Sequence, residues 1–123
     1  MKFSDVCEYY LSCKAKMLND FQNRKIIYTL GRYDALSKKI TLHDDAGGYV
    51  GFCDPDKLIP FLRHLDELSE DKRIEMEGYA TIMFQKMKKS KSDLKEHLKT
   101  VWLLKNHYDL FGLIESGLAV KTK

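Results

Sequence analysis

The chain has 123 residues, 44% hydrophobic and 32% charged, with a formal net charge of +3. That length holds one modest core without disulfide or metal staples and leaves no room for two, so residues 1–123 are expected to form a single compact domain. The composition excludes a disordered or fibrous chain, and so mild a charge leaves nucleic-acid binding to local clusters of Lys and Arg.

The opening MKFSDVCEYYL carries acidic residues before any sustained apolar run, unlike a secretory signal. No window approaches the roughly 18 apolar residues of a membrane span, so an intracellular protein is expected. Ser4 is placed to cap a first helix running to about Phe21, because Phe3, Val6, Tyr10, Cys13, Met17 and Phe21 recur at helical steps. From Lys25 the texture turns to β-branched and aromatic residues, which predicts antiparallel strands over Ile26 to Arg32 and Lys39 to His43. The turn Asp44 to Gly48 then leads into a third short strand, Tyr49 to Phe52, completing a meander.

Asp54 and Pro55 open a helical turn that Pro60 cuts short, so DPDKLIPFLRHL is read as a turn and an apolar connector. Ser69 caps the next helix, whose face of Met76, Tyr79, Ala80, Met83 and Met87 reaches about Lys88. A break at Ser90, Lys91 and Ser92 precedes the last long helix, with Leu94, Leu98, Val101, Trp102 and Leu104 as its stripe. So short a link makes the two helices near-antiparallel neighbours. A final helical segment over Asp109 to Ser116 ends at Gly117, and Leu118 to Val120 add an extended tail. The run Val101 to Val120, with Trp102, Tyr108 and Phe111, is the expected core anchor. The fold class is thus α+β: an N-terminal helix, a small antiparallel meander, and two to three C-terminal helices packed on it.

No cofactor or metal pattern is present, since Cys7, Cys13 and Cys53 lack CxxC spacing and His43, His64, His97 and His107 are scattered singly. Cys7 and Cys13 read as buried small hydrophobes. The DDAGG segment lacks the ligand spacing of a calcium loop and the Lys of a phosphate loop, which leaves a plain turn. No catalytic motif is found, so no catalytic residue is assigned and a non-enzymatic role is favoured. The one charge feature is the crowding of Lys86, Lys88, Lys89, Lys91, Lys95 and Lys99 at the junction of the two long helices. Lysines without arginine or aromatics suit sequence-independent phosphate contact, and equally a solvated helix face.

Two stretches, KLIPFLRHLDELSEDK (57–72) and KNHYDLFGLIESGLAVKTK (105–123), resemble the closing blocks of a known group. These are small uncharacterised proteins of phages, prophages and mobile elements of Bacteroides and related bacteria, with an "LRPLSDLT"-like connector and an "HFDxxGLIexGLAI"-like end. Here His64 and Asp66 stand where the connector has Pro and Ser. The resemblance carries no activity and no site residue; it implies a bacterial cytoplasm and stoichiometric binding to a host or phage protein, including inhibition of a host factor or defence system. The expected function is therefore protein binding without chemistry, with no membrane role. A nucleic-acid module built on the lysine junction is the alternative, and exposed sheet edges suggest a homodimer through strand pairing.

Overall fold

A computed structural model describes residues 1–18, 26–86 and 92–122, with side chains 92–94 left aside. Six strands form one sheet in the order β4-β3-β2-β1-β5-β6. They are β1 (Lys14–Met17), β2 (Tyr28–Asp34), β3 (Lys39–His43), β4 (Tyr49–Cys53), β5 (Leu58–Leu62) and β6 (Val120–Lys121). All neighbours are antiparallel except β5 and β6, which run parallel. Among the described residues there are two α-helices, α1 (Glu70–Lys86) and α2 (Ser92–Lys105), besides short 3-10 turns.

The expected arrangement of an N-terminal helix, a free-standing meander and helices over it is overturned. Residues 3–10 do bury Phe3, Val6, Cys7 and Tyr10 at helical steps, but as two 3-10 turns, Phe3–Asp5 and Cys7–Tyr10. At Ser12 the backbone turns left-handed, φ 74°, and the period changes from helical to two. Cys13 and Ala15 are buried while Lys14 and Lys16 are exposed. Cys13 and Met17 satisfy a four-residue step and a two-residue alternation alike, which is why the pattern reads as helix. Lys-Ala-Lys-Met has helix-forming composition, yet β1 is gripped from both sides, with Ala15 opposite Tyr28 on β2 and Pro60 on β5. The end of the expected helix at Phe21 lies outside the described residues.

The hairpin strands form where the sequence places them, β3 with the predicted ends, but as one half of the larger sheet. Asp44 builds their turn, its carboxylate accepting from the Gly48 amide at 2.7 Å while Gly47 sits at φ 85°. The predicted connector is a 3-10 turn, Pro55–Lys57, followed by strand β5, with Leu58, Pro60 and Leu62 buried and Ile59 and Phe61 half-buried. The alternation is present in the sequence and Pro60 masks it.

Ser69 caps α1 as expected, its hydroxyl accepting from the Lys72 amide at 3.2 Å. Met87, Lys88 and the break at Ser90 and Lys91 lie outside the described residues. Helix α2 closes in a Schellman pattern with His107 in the left-handed position, φ 64°, its amide donating to Leu104 and that of Tyr108 to Leu103. The helices pack chiefly on each other around Met76, Trp102 and Tyr108, and α2 reaches the rest of the chain at the Cys7–Tyr10 turn. They do not cover the sheet. Its inner face, with Leu30, Ile40, Leu42, Leu58 and Leu62, is sealed by the N-terminal turns and by Leu113 and Ala119.

The expected helix at Asp109 to Ser116 is also absent. Buried Asp109 instead organises a run of turns, its carboxylate accepting from the amides of Phe111 (3.2 Å), Leu113 (3.0 Å) and Ile114 (2.8 Å). Gly112 and Gly117 take the left-handed corners at φ 70° and 81°. The chain then enters β6 beside β5, and a parallel bridge between Arg63 and Tyr108 extends the same seam. Replacing Asp109 by Ala orphans these amide donors, and urea unfolding should show a loss of about 2–4 kcal/mol. Asp109→Asn, which keeps an acceptor, should lose less.

Candidate functional site

The sheet has two edges of opposite character. Strand β6 is two residues long and carries Lys121, which reaches Glu67 at 3.3 Å. A short edge bearing a charge resists further strand pairing. Strand β4, Tyr-Val-Gly-Phe-Cys, has no charge and no proline, and among the described residues nothing pairs with its outer side. Tyr49, Val50 and Phe52 are 61%, 52% and 64% exposed, an apolar cluster on a strand with free main-chain groups.

Register fixes what lies beside them. Lys14 faces Thr29, Thr29 faces His43, and His43 faces Tyr49, so these share the outer face, as does Phe52 opposite Thr41. The Lys14 ammonium donates to Thr29 at 2.7 Å and lies 3.6 Å from Asp45. His43 leans toward Thr41, 3.3 Å from its hydroxyl, and meets Tyr49 edge-on at 6.0 Å. Gly31 makes room for this, since a methyl group there would collide with His43 and Thr41. Val50 is the extra residue of a bulge, because Leu42 faces Gly51 while His43 faces Tyr49.

Carboxylates bracket the strand. Asp44 and Asp45 stand before it, and Asp54 and Asp56 after it. Asp54 caps the Pro55–Lys57 turn by accepting from Asp56, and Asp56 accepts from the Ser4 amide and hydroxyl at 2.9 and 3.0 Å. Among the described residues only Asp45 of these four has a cation within ion-pair reach. Burial first, and then the neighbouring Asp54 carboxylate, push the Cys53 thiol up, while Lys39 and Lys57 act against that field. Tyr33, on β2 beyond the intervening β3, is pushed up by burial and then by the charges of Cys7, Glu8, Asp54 and Asp34.

One lysine of the junction is already engaged within the fold. Lys99 is held by Glu77 at 2.9 Å and Glu96 at 3.2 Å, contacts that raise its pKa and lower that of Glu77. Lys86 is exposed at the end of α1 and Lys95 is partly buried on α2. Lys88, Lys89 and Lys91 lie outside the described residues.

Folding also joins residues that no motif connects. Ser12 and His107, both left-handed, place the hydroxyl 3.4 Å from the His107 Nε2. Burial, and then the Arg63 charge, hold His107 below the usual histidine range, so the ring is a neutral partner. Among the described residues no carboxylate orients its other nitrogen, so the pair lacks the third member of a nucleophilic relay. His64 sits between Asp66 (3.2 Å) and Glu115 (3.6 Å) at the surface. A mainly apolar cavity of about 610 Å³ opens between α2 and Tyr9, Leu110 and Phe111. Among the described residues no group of three His, Cys, Asp or Glu is placed to hold a metal, and no helix is long and apolar enough to cross a membrane.

No family model, no curated protein and no solved structure matches the chain.

Burial pushes the Cys7 thiol up to about 11 and that of Cys13 up to about 12. The folded state thus favours the protonated thiols, and the stability this lends is complete below pH 9.0, the ordinary value, and lost as pH rises toward 11 and 12. Melting temperature should accordingly fall across that alkaline window. Iodoacetamide at pH about 8, read by peptide mass spectrometry, should modify half-exposed Cys53 first, with Cys7 and Cys13 reacting only on unfolding.

Proposed function

We propose that this is a non-enzymatic binding protein that takes an extended segment of a protein partner onto β4 as a further strand. The observation that carries it is the asymmetry of the sheet: one edge is short and charged, while the other presents Tyr49, Val50 and Phe52 without a guarding residue. Strand addition draws affinity from main-chain hydrogen bonds and specificity from side chains at alternate positions. Tyr49 and Phe52 supply such a surface on one face of β4, with His43 of β3 beside them. The likeness of the C-terminal block to phage and mobile-element proteins supports a stoichiometric partner within a bacterial cell.

Nucleic acid is the competing occupant. The carboxylates around β4 disfavour it there, and Lys99 is already engaged by two glutamates.

Val50→Lys and Phe52→Lys guard the edge at exposed positions, so each should leave folding stability within about 0.5 kcal/mol of the parent. Affinity capture from a Bacteroides-type lysate, with nuclease, should retain one protein at near-stoichiometric level on the parent and at least tenfold less on either variant, roughly the loss of 1.4 kcal/mol. Equal retention by parent and variants rejects β4 as the site. Loss of all binding with nuclease transfers the role to the lysine junction.

A further inference from the structure

Strand β4 is apolar along its length and acidic at both ends. Before it stand Asp44 and Asp45, with Lys14 reaching only Asp45. After it stand Asp54 and Asp56, with Lys39 and Lys57 near enough to Cys53 to act against the Asp54 charge. Among the described residues Asp44, Asp54 and Asp56 have no ammonium group within ion-pair reach, although the whole chain is positive by +3. The acidic character is thus a local property of this edge.

From this charge distribution we infer that the occupant is an extended segment of another protein with apolar residues at alternate positions and Lys or Arg at both ends, an inference that rests on strand addition at β4. The apolar stretch matches Tyr49, Val50 and Phe52, and the basic ends match Asp44 before the strand and Asp54 and Asp56 after it, which among the described residues have no cation within ion-pair reach. A second copy of this chain is a poor occupant. Two-fold antiparallel pairing sets the start of one strand against the end of the other, so the Asp44 and Asp45 turn of each copy would meet Asp54 and Asp56 of its mate. Like charges so placed oppose pairing, whereas a basic-ended strand is drawn in from solution.

The test uses the full chain, labelled with nitrogen-15, titrated to millimolar concentration with two synthetic peptides, KKVTVTVKK and EEVTVTVEE. The basic peptide should shift β4 amides and bind at least about tenfold tighter than the acidic one, a gap that closes at about 1 M salt, where the screening length is roughly 3 Å. The double variant Asp44→Asn, Asp54→Asn keeps both turn acceptors, so it should fold as the parent does and lose most of the discrimination. Equal binding of both peptides at β4, lost in Phe52→Lys, overturns the charge rule and leaves strand addition standing. Shifts away from β4, or none with either peptide, overturn both. A dimeric mass at micromolar concentration that Phe52→Lys makes monomeric overturns the heterologous partner in favour of a second copy.

Discussion

The hydroxyl of Tyr10 is the joint on which the molecule depends. It is fully buried, donates to the carbonyl of Tyr108 at 2.8 Å and accepts from the amide of Leu110 at 3.2 Å. Tyr10 belongs to the core of the sheet and Tyr108 to the cluster between the helices, so this contact ties the two cores across nearly the whole chain. A buried hydroxyl must be satisfied, which makes the joint specific as well as adhesive. Beside it, the Arg63 amide donates to the His107 carbonyl and the Asp109 amide to that of Arg63, both at 2.8 Å, which seats the C-terminal block against the end of β5. The Asp109 carboxylate then shapes the turns that carry the chain to β6.

What could be read from the sequence was what is local. Strands β2 to β4, the Asp44 turn and the Ser69 cap are encoded within a few residues of themselves, and each formed. The N-terminal helix failed because Cys13 and Met17 fit two periods, and the choice between them is made by β2 and β5, which lie far along the chain. Strand β5 was hidden by Pro60, and β6 exists only because a distant strand pairs with it in parallel. The run at 109–116 reads as helical, but the buried Asp109 carboxylate takes the amides of Leu113 and Ile114, which a helix begun at Asp109 would pair with carbonyls.

The candidate site shows the same division. That Tyr49 to Phe52 would be a strand was legible; that the strand is an edge is a property of strand order, which no local pattern records. The acidic residues around it read as a solvated turn, and their grouping at both ends of one free edge emerges only from the fold. The lysines of the helix junction stood out in the sequence, yet Glu77 reaches Lys99 only once α1 and α2 are packed. Magnitudes also limit what the edge can do alone. Covering an exposed apolar side chain contributes about 1.5–3 kcal/mol when burial is complete, while association costs roughly 4–15 kcal/mol. Three such side chains therefore need the added main-chain bonds and the charge match to hold a partner.

The molecule is locked at one end of its sheet and open at the other, and amide hydrogen exchange at single-residue resolution measures both properties together. The amides of Asp109, Leu113 and Ile114 should exchange only through global opening, at the rate of the β3 core, while the outward amides of β4 exchange near the rate of an unprotected chain. Protection of the β4 amides equal to that of β3, or fast exchange at Leu113 and Ile114, would contradict it.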